Sequence, residues 1–219
     1  MDSSSIKIVT CNQNFININS YVLIYKNFSI VIDPNNFDEI EKALNGTKLE
    51  YIFLTHEHFD HIMAVEKLRE KYGAKLIAQK FTSNNIQSSS KNLSKFSEII
   101  FEFMKKTTSS KIEEIIVNKA DIEYEDTYEL YWHGKVFFFK HTPGHSEGSS
   151  CIYVNNWLFS GDSLFKNVDT YFFGRKKLKF DYLNISIPFF KSLDRKMSVF
   201  PGHYDSFTLE EGINRNIYN

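Results

Sequence analysis

The chain has 219 residues, 42% hydrophobic and 24% charged, with a formal net charge of -1. That length and composition suit a globular chain of one domain and exclude a disordered or fibrous one. The near-neutral balance, with no long basic run, leaves no electrostatic footprint for nucleic acid, so no such partner is expected.

The opening MDSSSIKIVTCNQ has neither a basic n-region nor an apolar h-region, so no secretory signal is expected. No apolar run reaches the roughly 18 residues of a membrane-spanning helix. Two cysteines, Cys11 and Cys151, are too few for a disulfide framework, and Cys151 in SSCIYV reads as a buried structural thiol. A reducing, cytoplasmic setting without a membrane partner is expected.

SYVLIY and FSIVID read as strands joined by a turn at Lys26-Asn27, the second stopping at Asp33-Pro34. In FDEIEKALNG, Ile40, Ala43 and Leu44 share a helical face, and Gly46 is placed to cap the C-terminus. YIFLT (51–55) is a continuous apolar run, as for a strand buried on both faces. IMAVEKLREKYG carries Ile62, Val65 and Leu68 at helical spacing and closes on Gly73. Residues 81–119, rich in Ser, Lys and Asn with an amphipathic piece around FSEIIFEFMKK, read as helices and loops inserted over the same domain, a lid. Then come a hairpin turning at His133-Gly134, strands in KVFFFKHT, SSCIYV and WLFSGD, a helix around 182–193 and a strand in MSVFPGH. Thr208 and Glu211 form a capping box that starts a last short helix. Strand-rich halves with helices between them predict a layered α/β sandwich, one domain over residues 1–219.

THEHFDH (55–61) places three of the seven histidines within six residues, with Asp60 among them. His56 and His58, two apart at a strand end, lean to the same side, and Asp60 and His61 follow where the next helix should start. Such a cluster presents nitrogen and oxygen donors to a pocket at the carboxyl end of a buried strand. Imidazole with carboxylate suits zinc, iron or manganese, whereas calcium and magnesium prefer oxygen alone. The bland alternative is a solvated His-rich loop. Three later segments weigh against it, each a strand-like run beside a glycine with one metal-competent residue: TPGHSEG with His145, FSGDSLF with Asp162 and FPGHYDS with His203.

THEHFDH resembles the HxHxDH motif of the metallo-β-lactamase superfamily, and His145, Asp162 and His203 follow in the order of its later ligands. NSYVLIY and IVIDP are similar to its opening hairpin, so the resemblance spans most of the chain. It implies an αββα four-layer sandwich with a dinuclear site between the sheet edges. Carried over, His56, His58 and His145 would hold one divalent metal ion, and Asp60, His61 and His203 a second. Asp162 would bridge them, since a carboxylate offers two oxygens at once. Zinc is the expected metal, with iron and manganese compatible. Asp60 and Asp162 would serve catalysis directly, around a metal-bridged hydroxide that attacks an electrophilic carbon or phosphorus.

His58 stands where diiron flavoprotein oxidases carry glutamate, and Asp162 where zinc β-lactamases tend to carry cysteine or serine, so both branches are disfavoured. No long arm of the kind that docks transfer RNA is evident. TPGHSEGSSCIYV, SGDSLF and PGH with Thr208 and Glu211 are similar to segments of the glyoxalase II-like hydrolases. Three departures stand out. Tyr204-Asp205 replaces the usual Gly-Pro, Lys177 replaces the aspartate of the GRTDL-like loop, and the chain ends soon after His203, so the helical domain that helps glyoxalase II hold glutathione is expected to be missing. The resemblance implies hydrolysis of an acyl thioester carried on glutathione, or on pantetheine of an acyl-carrier protein. Leaving-group chemistry agrees, since a thiolate of pKa about 8.5 departs without a proton, whereas an amine or alkoxide calls for a general acid. The alternatives are a mononuclear iron persulfide dioxygenase, a lactone or phosphodiester hydrolase, and a non-catalytic binding protein, which the complete ligand set disfavours.

Arg175, Lys177 and Tyr204 are candidate substrate contacts. His141 reads as a supporting or core residue, His133 as exposed in its turn, and Glu57 and Phe59 as pointing away from the metals. Asp33 reads as a turn cap, with a hydrogen bond to a ligand histidine as the other reading. Phe101, Phe103 and Met104 either line an acyl pocket under the lid or are plain core.

Overall fold

The computed structural model describes residues 5–13, 17–103 and 112–214. The strands form two six-stranded sheets. The first runs in chain order through β1 (Lys7–Gln13), β2 (Ile18–Tyr25), β3 (Phe28–Ile32), β4 (Lys48–Phe53), β5 (Lys75–Gln79) and β6 (Ile122–Tyr124). Its first three strands pair antiparallel and the rest parallel. The second holds β7 (Thr127–Trp132), β8 (Lys135–His141), β9 (Ser150–Val154), β10 (Trp157–Gly161), β11 (Ser198–Pro201) and β12 (Phe207–Thr208), parallel only between β10 and β11.

Parallel neighbours need crossovers, and helices supply them. These are α1 (Phe37–Leu44), α2 (Val65–Tyr72), then α3 (Lys80–Asn85) with α4 (Ser97–Phe103), and in the second half α5 (Lys176–Asp181) with α6 (Ile187–Ser192). A π-helical turn at Tyr182–Ser186 joins the last two, so the helix expected at 182–193 begins earlier, at Lys176. α7 (Leu209–Ile213) starts on the capping box of Thr208 and Glu211, as expected. α1 is capped by Asn45 in the left-handed region, not by Gly46, because asparagine tolerates that conformation. α2 closes on Gly73.

The layers follow from alternation along the strands. In β8, Phe137 and Phe139 point inward and are fully covered, while Val136 and Phe138 stay half-exposed. β4 is buried on both faces: Ile52 packs outward under α1 and α2 with Ile40, Val65 and Leu68, and Phe53 packs inward between the sheets. There Phe53 meets Phe139 edge-on at 4.9 Å, within a seam that includes Leu23, Ile30, Ile152 and Phe159. Each such side chain contributes roughly 1.5–3 kcal/mol by burial. A third cluster, with Leu158 and Val199 beneath Tyr182, Phe190 and Leu209, seats the helices of the second half, and Cys151 is buried in it as expected. The result is the αββα sandwich.

The segment after β5 packs against the 3-10 turn at Phe59–His61 and the start of β2. Asn92 Nδ2 donates to the Ile115 carbonyl at 2.7 Å, Ser94 Oγ accepts from Ile115 N–H at 2.9 Å, and Phe101 packs on Phe59 and Ile18. Met104 lies outside the described residues. Among the described residues no helix is long and apolar enough to cross a membrane.

Candidate metal centre

Every expected ligand sits just beyond the carboxyl end of a strand: His56 to His61 after β4, His145 after β8, Asp162 after β10 and His203 after β11. The backbone leaves β4 at Phe53 and winds into a single 3-10 turn at Phe59–His61, with α2 delayed to Val65. The structure brings all seven donors together in two overlapping groups.

In the first, His58 Nδ1 lies 3.1 Å from His56 Nε2 and 2.9 Å from His145 Nε2. Hydrogen bonding on the far sides fixes the tautomers. The Thr55 hydroxyl gives its one proton to Asp33 Oδ2 at 2.6 Å, so it accepts from His56 Nδ1–H at 3.1 Å. His145 Nδ1–H donates to the Tyr171 carbonyl at 3.1 Å. Both Nε2 atoms therefore point bare lone pairs at His58 Nδ1, which can donate to only one of them. Lone pairs converging in this way fit a cation between them.

In the second group, Asp60 Oδ2 is 3.4 Å from His203 Nε2 and 4.0 Å from His61 Nε2. His61 Nδ1–H donates to Asp33 Oδ2 at 3.0 Å, which turns Nε2 inward. His61 Nε2 and Asp162 Oδ1 are buried, lack hydrogen-bond partners and stand 3.6 Å apart. Two orphaned polar atoms facing each other in a buried site fit a cation as well. Asp33 is near enough to donor atoms of His56 and His61 to form a further cluster, but both its oxygens are committed to Thr55 and His61. It orients His61 directly and His56 through Thr55 and does not cap a turn, so the second of the two readings of Asp33, a hydrogen bond to one of these histidines, holds.

Charge follows the same division. Burial, reinforced by neighbouring imidazoles, lowers the pKa of His56 and His58; burial also lowers that of His145 against the pull of Asp162. Neutral imidazole is the ligand form. Burial works against His61 too, but Asp60, Asp162 and Asp33 outweigh it and raise its pKa to about 9. His203 is likewise raised, by Asp162 and Asp60 against burial. Burial would raise Asp60, yet His61 and the hydrogen bond from His203 hold it well below the usual carboxylate range.

Two glycines admit this packing. A Cβ on Gly202 would fall 2.3 Å from Asp162 Oδ1 and 2.6 Å from His61 Cε1. On Gly161, whose φ of +50° already favours glycine, it would fall 2.3 Å from Thr55 Oγ1.

Some supports went unseen in the sequence. Asn19 donates to the carbonyls of Pro201 (3.1 Å) and Tyr204 (2.7 Å), tying β2 to the His203 loop. Glu57 points away from the ligands, as expected, but as an anchor: its buried carboxyl accepts from Asn85 (3.1 Å), Ser146 (2.8 Å) and Thr82 (3.3 Å). Nothing in ININS singles out Asn19, whereas a glutamate between two ligand histidines was a readable signal. His141 supports the His145 loop by donating to the Glu147 carbonyl at 2.8 Å. His133 is exposed in its turn, stacked on Phe28 at 3.9 Å.

A cavity of about 510 Å³ opens over His58, Asp60, His145, Asp162 and His203. Tyr204 lies on its wall; Arg175 and Lys177 do not, Arg175 standing at the start of α5 and Lys177 pairing with Asp181 along that helix.

A family model described as the metallo-beta-lactamase superfamily matches residues 14–203. The chain belongs to the metallo-β-lactamase superfamily. It is 30% identical over 207 residues to the hydroxyacylglutathione hydrolase of Pelagibacter ubique (strain HTCC1062), covering 90% of this chain and 70% of that protein. The crystal structure of BLEG-1 B3 metallo-beta-lactamase matches the fold with a TM-score of 0.74 at 24% identity, over 96% of this chain and 98% of that one. TTHA1623, crystallised in a di-iron-bound form, matches at 0.69 and 25%, over 97% and 100%. With its histidine and aspartate clusters, this member of the superfamily is a glyoxalase II-like metallo-hydrolase that binds divalent metal.

Proposed function

We propose that this metallo-hydrolase cleaves acyl thioesters at a centre of two divalent ions, zinc by preference, held by its seven clustered donors. His56, His58 and His145 would hold one ion and Asp60, His61 and His203 the other. Asp162 carries the two-ion reading: its Oδ2 lies 3.4 Å from His145 Nε2 and 3.5 Å from His203 Nε2, and its Oδ1 3.6 Å from His61 Nε2. One carboxylate thus faces donors of both groups. A mononuclear iron centre would leave the second group without a task.

Divalent ions bound there would bring the pKa of water toward about 7 and polarise the substrate carbonyl. The protein's own groups do the rest. Asp60, kept ionised by His61 and His203, accepts the hydrogen bond that orients the attacking water. Asp33 holds the His56 and His61 tautomers, so the Nε2 lone pairs stay aimed inward. Besides the proposed ligands, the ionisable cavity residues among those described are Asp169, Tyr171 and Tyr204, all exposed to solvent. None is poised as a buried general acid, which suits a thiolate leaving group best. The relatives named hydroxyacylglutathione hydrolase support the same class.

We take residues 1–219 as one domain with an insertion at 81–119. The two free, buried cysteines fit a reducing, cytoplasmic setting. Thiol release by zinc-loaded protein from acyl-glutathione, acyl-pantetheine and acyl-carrier protein tests the activity and ranks the carriers. Release in any arm is the expected result. Metal binding with no release in any arm, or one iron per chain with thiol-dependent oxygen uptake, overturns the thioester reading.

A further inference from the structure

We propose that the cavity over the metal centre is an acyl pocket, and that the acyl group it selects is bulky and apolar, a medium-length alkyl or an aryl chain. This rests on the thioester reading above and narrows it. At about 510 Å³ the cavity lies within the ~300–1,000 Å³ of ordinary small-molecule sites. One wall comes from the segment after β5, with Leu93, Ile99 and Phe101; the facing wall comes from the loop after Asp162, with Phe165, Val168 and Phe173. The apolar lining reaches down to the ligands, the Phe173 ring centroid standing 5.4 Å from that of His58 and 5.6 Å from that of His145. A chain attached to a carbonyl at the metals would meet these rings at its first carbons.

Charge decides between the two arms of a thioester. Among the described residues, no lysine or arginine lines the cavity, and its one carboxylate outside the proposed ligands is Asp169. Away from the metals, the carboxylates of glutathione or the phosphate of a pantetheine arm would find no lysine or arginine on these walls, so the carrier stays at the mouth and the acyl arm enters. The walls also expose apolar surface toward that space, with Ile99 at 66% and Phe173 at 40% relative exposure. Covering such surface is favourable, and a short hydroxylated acyl group would leave most of it wet. α4 is set in place by the ligand turn itself, with Phe101 edge-on to Phe59 at 5.8 Å, so pocket and metal centre form one unit.

The test is a series of straight-chain thioesters on a neutral carrier, N-acetylcysteamine, from acetyl to decanoyl, with phenylacetyl and lactoyl members. kcat/KM should rise about fourfold per methylene until the pocket is full, given the usual worth of a buried methylene. Phenylacetyl should exceed lactoyl by at least tenfold. Val168→Asp and Ile99→Asp, both at partly exposed positions outside the core, should flatten the slope with chain length. Calorimetry with the matching methyl ketones, which carry no scissile thioester, reads the pocket without turnover. Turnover with a flat or falling chain-length dependence overturns the pocket and leaves the thioester reading standing. Ketone affinity rising with length while no thioester is cleaved does the reverse.

Discussion

The floor and the walls of the cavity are built on opposite principles. The floor is buried and polar, and three of its seven donors are pinned from behind: His56 through Thr55, His61 by Asp33 and His145 by the Tyr171 carbonyl. The walls are apolar and partly exposed, and their side chains meet the floor through packing, as Phe101 does against Phe59 and Ile18. A floor so over-determined fixes the chemistry, and walls so loosely specified are free to set the substrate. Changes to the floor should therefore cost activity for every substrate, and changes to the walls should alter preference.

The largest effect should come from Gly202→Ala. Its methyl would overlap Asp162 Oδ1 and His61, pushing both groups out of line. Activity should fall at least ~100-fold together with bound metal, in line with misplacement at a reacting centre; retention of both would refute the close approach. Asp33→Asn comes next. With one acceptor oxygen where the carboxylate has two, the amide cannot accept from the Thr55 N–H, the Thr55 hydroxyl and His61 Nδ1–H together, so metal affinity should drop roughly 10- to 100-fold, the usual cost of losing a ligand's orienting partner. Competition with a chelator measures it, and unchanged affinity would show that the tautomers are held by something else.

Beneath the floor, Glu57→Ala should take the acceptor from buried Asn85 Nδ2 and leave Ser146 and Thr82 only their contacts to Ser149 Oγ and the Gly148 carbonyl. A loss of roughly 1–3 kcal/mol in urea unfolding is expected, as for a buried group left unsatisfied. An unchanged midpoint would mean that water replaces the carboxylate. The smallest effect concerns Cys151. Burial pushes its thiol up to about 12, and Cys11 to about 11 through burial and Glu39. Both are protonated near neutrality, so alkylation at pH 8 should be slow in the folded protein and fast once it is unfolded. Rapid labelling of the native chain would show that the core opens.

This division also explains what could be read in advance. The convergence of these seven side chains was legible because metal chemistry admits few residue types and THEHFDH, TPGH, SGD and PGH state them locally. The sandwich was legible because β8 alternates and β4 does not. Asp33 was half legible, as a carboxylate at a strand end whose partners, Thr55 and His61, lie 22 and 28 residues on. The Tyr171 carbonyl was not legible at all, since every residue has one. Nor was Asn19, which acts on backbone 182 and 185 residues away. The pairing of Lys177 with Asp181 along α5 was not read from the sequence either, although the two lie four residues apart.

The most direct test of the two-ion centre is a zinc count per chain on protein stripped by chelator and reloaded, in the wild type and in Asp162→Ala. Two ions per chain in the wild type, one or fewer in Asp162→Ala and loss of hydrolysis with an intact fold are the expected results. A single ion per chain in the fully active wild type, unaffected by Asp162→Ala, would contradict the account.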